Sequence, residues 1–94
     1  MIRSVQAEGG FATVLQKGEA DSGTILVVTR APGETSRLFE RMPHPEKGRA
    51  WDCVRIQDPD KPEEFSDYLA RRGNSDPDCW LVELEIARAE RFIA

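Results

Sequence analysis

Apolar and polar positions alternate most cleanly in the last quarter of the chain. From Asp76 to Ile86 the sequence runs Asp-Pro-Asp-Cys-Trp-Leu-Val-Glu-Leu-Glu-Ile, with Trp80, Val82, Leu84 and Ile86 on one phase and Glu83 and Glu85 on the other. A proline turn followed by a period of two predicts a strand with one face on a core and the other in water. Thr24 to Thr29 is different, because Ile25-Leu26-Val27-Val28 is apolar at both phases and β-branched at three positions. Such a run predicts a central strand covered on both faces. Phe11 to Lys17 predicts a third strand, and Gly18-Glu19-Ala20-Asp21-Ser22-Gly23 has loop chemistry, so these two neighbours are expected to form a hairpin. After the turn Ala31-Pro32-Gly33-Glu34, strands are expected over Thr35–Met42 and Arg49–Ile56. The stretch Met42 to Gly48 between them holds two prolines and reads as a loop.

The period lengthens between the fourth and fifth strands. Phe65, Tyr68, Leu69 and Arg72 recur at i, i+3, i+4 and i+7, the spacing of one helix face. Asp60 with Glu63 three residues later fits a capping box. Glu63, Glu64 and Asp67 come early and Arg71 and Arg72 late, as a helix dipole favours, and Gly73 is placed to supply a left-handed end. Ile2 to Glu8 offers about two helical turns before Gly9-Gly10, too little to stand alone, and reads as the remnant of a longer helix. Ala87 to Ala94 continues as a short strand or a helical tail. The fold class that follows is α+β, an antiparallel meander of about five strands with one main helix packed on one face. At 94 residues, the chain makes one domain over 1–94.

Composition narrows the class without naming a chemistry. With 39% hydrophobic and 32% charged residues the chain has the balance of a globular protein. No apolar run approaches the ~20 residues a membrane helix needs, and the N-terminus lacks the apolar stretch of a secretory signal, so a cytoplasmic protein without membrane contact is expected. In that reducing compartment Cys53 and Cys79 stay thiols, read as small core or strand residues. The net charge of −4 is uneven: residues 1–29 carry −1, residues 30–55 carry +2 and residues 56–94 carry −5. An acidic total makes nucleic acid an unlikely partner, since phosphate binding draws on a cationic surface.

Few residues combine into a recognisable reactive group. His44, Cys53 and Cys79 are the only soft or imidazole ligands, and none has a short-spaced partner, so neither a zinc site nor a cysteine–histidine nucleophile is indicated. Glycine patterns that cradle phosphate are absent, and no cofactor is expected. Glu83 and Glu85 on one strand face, with Asp58, Asp60, Asp76 and Asp78 nearby in sequence, are the acids that would hold a divalent cation or share acid and base roles. The same pattern is what a wet strand face and ordinary turn and cap residues look like. Arg37, Phe39 and Arg41 alternate on one predicted strand face within the basic stretch Arg30, Arg37, Arg41, Lys47, Arg49, Arg55. Arginines flanking an aromatic suit an anionic or planar partner, against the plainer reading of a solvated face balanced by Glu34, Glu40, Glu46 and Asp52. Trp80 is in phase with the core. Trp51, beside Asp52, is the better contact residue for a dimer.

Several of these stretches together resemble a known family. Gly9-Gly10-Phe11-Ala12-Thr13-Val14-Leu15, the Gly18 to Gly23 loop before an aliphatic strand, Trp51, Arg71 and the Asp76-Pro77-Asp78-Cys79-Trp80-Leu81-Val82-Glu83 run are similar to small bacterial proteins, mostly alphaproteobacterial, known as domain of unknown function 1491. The likeness spans nearly the whole chain, and the Asp-Pro-Asp-x-Trp-x-Val-Glu run is its most specific part. Cys79 stands where an aliphatic residue is usual, and the chain starts about half a helix late, in keeping with a truncated first helix and an internal start. The resemblance implies a cytoplasmic domain and carries no activity. The leading reading is therefore a non-catalytic binding or adaptor module acting as a homodimer, with Arg37, Phe39, Arg41, Trp51, Asp78 and Glu83 as candidate binding residues and an unidentified protein as partner. The alternative is a small-molecule-binding or metal-dependent hydrolytic enzyme using acids near Asp76-Pro77-Asp78. A third reading is an anionic or nucleic-acid partner on the arginine face.

Overall fold

A computed structural model describes residues 2–19, 24–44, 46 and 48–93. Its strands are β1 (Phe11–Gln16), β2 (Ile25–Arg30), β3 (Arg37–His44), β4 (Gly48–Ile56) and β5 (Trp80–Glu85), with helices α1 (Ile2–Ala7) and α2 (Pro62–Ser75) and a 3-10 turn over Ala89–Phe92. The α+β class, the five strands, the main helix and the short N-terminal helix are as the sequence predicts. The meander is not. The strands lie in the order β1-β5-β2-β3-β4, so the last strand slips between the first two. β5 runs antiparallel to β1 and parallel to β2, which makes the sheet mixed and removes the expected β1–β2 hairpin. The reason is burial. A β2 apolar on both faces needs a neighbour apolar on both sides of its own, and β5 supplies Leu81 and Val82, both buried, beside Leu26 and Val27.

The two faces of the sheet carry two cores. Under α2 lie Leu26, Val28, Leu38, Cys79 and Leu81, closed by Phe65 and Leu69 from the helix. On the opposite face Val27, Val82 and Leu84 pack with Val5 of α1 and with Phe92 and Ile93 at the chain's end. Glu83 therefore shares its strand face with Leu81 rather than with open water. It is held at 3.1 Å by the Nε of Arg30 across the parallel strand pair.

Three local expectations are revised. Helix α2 begins after Lys61 without a side-chain cap, because Pro62 starts the helix; Asp58 Oδ1 instead accepts from the Asp60 amide at 2.9 Å. Proline suits the first helical turn, where its missing N–H is no loss. Gly73 does not end the helix, which continues to Ser75; it is buried inside it because the Gln16 side chain occupies the space a Cβ would need. The strand β3 runs on through Pro43 to His44, paired with β4 alone beyond the reach of β2, so much of the expected loop is ladder. Helix α1 ends as its two glycines predict. Gly9 takes a positive φ of 84°, its amide donates to Gln6 O and that of Gly10 to Val5 O, the paired bonds of a Schellman end. As expected of small core or strand residues, Cys79 is buried in the core and Cys53 lies on strand β4, where it is exposed. Among the described residues no helix is long and apolar enough to cross a membrane.

Candidate functional site

The β3–β4 ladder decides which side chains meet. Arg37, Phe39 and Arg41 alternate on one face of β3, and the register sets Ile56, Cys53 and Trp51 of β4 opposite them in turn. Directly opposed residues in an antiparallel pair lie on the same face within contact reach. A bulge makes Val54 the extra residue between Cys53 and Arg55, which brings Trp51 into line with Arg41. The face is the one away from α2, because Trp51 packs at the margin of the Val27, Val82 and Leu84 core.

This half of the sheet is open. α1 packs over β1 and the terminal 3-10 turn over β2, and neither packs closely over β3 or β4. Phe39 and Trp51 are half-buried, Cys53 is exposed, and Val54 and Ile56 keep 37% and 57% of their surface in solvent. The result is an apolar strip with arginines at its margin. Arg37 pairs with Glu90 at 3.3 Å, not with any of the acids expected from the sequence, and both partners are well exposed. Such a pair contributes little and is easily exchanged for another anion. Arginine–aromatic stacks are formed by Arg55 over Tyr68 and by Arg91 over Phe92, each at 4.4 Å.

The Asp76 to Trp80 run has a different task. The Asp76 amide donates to Arg72 O and closes the helix, while Asp76 Oδ1 accepts from the Asp78 amide and Asp76 O from the Cys79 amide, folding a tight turn. Into that turn the end of β1 is fastened. Gln16 Nε2 donates to Asp76 O at 3.1 Å and to Cys79 O at 3.0 Å, the Glu19 amide donates to Asp78 O at 2.9 Å, and Trp80 Nε1 donates to Glu19 O at 3.1 Å. Asp78 sits exposed on this clasp, and Glu83 lies in its ion pair with Arg30 on the α2 face. Of the six residues singled out, the structure unites Arg37, Phe39, Arg41 and Trp51 and leaves Asp78 and Glu83 elsewhere. Among the described residues no three His, Cys, Asp or Glu side chains are placed to hold a metal ion.

A second surface was not visible in the sequence. Between β4 and α2 lies an open groove of about 660 Å³ lined by Arg55, Glu64, Asp67, Ala70, Arg71 and Asn74. Beneath it Arg72 donates to the Tyr68 hydroxyl at 3.2 Å and to Glu40, and these hydrogen bonds, Glu40 first, hold the Arg72 guanidinium above its ordinary pKa. Tyr68 and Arg72, four apart on one helix face, were the only signal of this network; Glu40 comes from a distant strand. With both signs of charge on its walls, the groove favours no single ligand charge. Burial, with the nearby Asp76 charge, pushes the Cys79 thiol up, which keeps it protonated and inert.

Comparison with known proteins agrees with the fold. A family model described as protein of unknown function (DUF1491) matches residues 1–94. A crystal structure of a DUF1491 family protein from Caulobacter crescentus CB15 is 34% identical over 89% of this chain and 78% of its own, with a TM-score of 0.69. An NMR structure of a DUF1491 family protein from the same organism is 32% identical over 99% of this chain and 84% of its own, with a TM-score of 0.75. The solution structure of protein Atu0922 from A. tumefaciens is 27% identical over 98% and 83%, with a TM-score of 0.71. No curated protein matches the sequence.

Proposed function

The chain belongs to the DUF1491 family, and from that premise we propose that it is a non-catalytic binding module of the cytoplasm, self-associating, that docks a protein partner on the open half of its sheet. One observation carries the reading: Arg37, Phe39, Arg41 and Trp51 meet on the face of β3 and β4 turned away from α2, over which neither α1 nor the terminal 3-10 turn packs closely. A half-buried tryptophan and phenylalanine beside arginines have the composition of an interface centre. The matching partner surface is apolar with carboxylates at its rim. A nucleic acid is a weaker fit to the same face, because the chain carries −4 overall. The hydrolytic alternative has less support, since Asp76 is committed to the turn and Glu83 to Arg30.

Native mass spectrometry of the protein purified gently from its host tests this. A protein partner is expected to be retained, to bind about tenfold or more weakly to the Trp51→Ala and Arg41→Glu variants, and to lose affinity as salt is raised. A stoichiometric metal or metabolite, lost in the Asp78→Asn and Glu83→Gln variants, would overturn the module reading in favour of an enzyme.

A further inference from the structure

The sheet has two edges, and they are built differently. β4 carries the charged residues Asp52 and Arg55 within its span, guards that keep an edge from pairing with another chain. β1, Phe11–Gln16, has no charge, proline or glycine. It also shows its apolar side chains to solvent: Phe11 is 70% exposed, Val14 43% and Leu15 46%, more of the large exposed apolar residues than any other described element holds. An uncharged, β-prone edge with apolar side chains in solvent is a template for one more strand.

We infer that this added strand is β1 of a second copy, joined antiparallel about a two-fold axis so that two five-stranded sheets become one. The inference rests on the self-association in the proposed function and locates it. The strand is suited to itself: neutral along its length, it sets no like charges opposite each other, and its phenylalanine, valine and leucine form favourable cross-strand neighbours. The flank after it bears on the direction: Lys17 follows β1, and antiparallel joining keeps the two Lys17 side chains at opposite ends of the seam, whereas parallel joining would bring them together. The bulge at Leu15, where the β1–β5 register shifts between Val14 and Gln16, bends the strand and keeps the pairing short. The dimer is consequently small in area and concentration-dependent rather than obligate.

Sedimentation equilibrium over a concentration series, on the full chain and two variants, tests it. Thr13 lies mid-strand and is exposed, opposite a Glu83 already held by Arg30, so Thr13→Lys places two uncompensated cations at the dyad. The expected result is a reversible dimer whose dissociation constant rises about tenfold or more in Thr13→Lys with the melting temperature unchanged, and is unmoved in Arg41→Glu. A chain monomeric at every concentration overturns the inference and the self-association together. A dimer indifferent to Thr13→Lys but weakened by Arg41→Glu overturns the edge alone. Should Thr13→Lys fail to fold, amide exchange in the unaltered chain decides: slowing across Phe11 to Val14 with rising concentration supports the edge, and invariance there in a sample that does dimerise overturns it.

Discussion

Gly18 stands where a methyl group would fall on the carbonyl of Asp78, and backbone cannot yield as a flexible side chain can. Gly18→Ala is therefore expected to cost about 2–3 kcal/mol, read as a lower urea midpoint, and to free Trp80 from Glu19, read as a red-shifted fluorescence. Cys79 gives a second test. Its thiol is pushed up in the fold, so above the ordinary thiol pKa of about 8.5 the unfolded chain releases a proton that the folded chain keeps. Stability is fully retained below that pH and falls as pH rises through the window above it. Urea midpoints from neutral pH to about 10 should slope downward, and Cys79→Ala should flatten the slope. At this scale the Arg37-Phe39-Arg41 alternation was readable directly, because a strand sorts its own side chains. That Trp51 joins them was not, because it depends on a bulge at Val54 that shifts the register by one.

Elements were legible where they satisfy their own needs and illegible where they need each other. Helix α2 announced itself by its spacing, and β2 announced a central position by being apolar at both phases. Which strands flank β2 is decided by β5, far away in sequence, and the sequence neighbour β1 lost that place because it offers a half-exposed face. The buried pair Leu81-Val82 was the available clue, since it breaks the alternation that Glu83 and Glu85 suggest. Position in the sheet also orders local opening. Amide exchange should be slowest in β2 and β5, which are paired on both sides, and faster in β1 and β4; a β1 as slow as β2 in dilute solution would contradict the strand order.

Across the whole molecule the uneven charge of the chain becomes a spatial one. Within the stretch of residues 30–55, Arg37 and Arg41 stand on the open face of β3, while the −5 of residues 56–94 goes largely to α2, β5 and the turn between them. An acidic partner would be steered toward one side and repelled from the other. Most of the candidate site was thus foreshadowed by composition along the chain, and the groove beside Arg55 was not, because its walls come from separate elements.

The place of β5 also fixes a schedule. A ribosome delivers β1 before β5, yet among the described residues β1 has no sheet neighbour other than β5. During synthesis β2, β3 and β4 can zip together as they emerge, while the opening strand waits, its apolar side chains uncovered, until the closing strand arrives to tie it in. The segment most inclined to pair is thus the one left longest without its rightful mate, and swift delivery of the final residues protects the newborn protein from clumping.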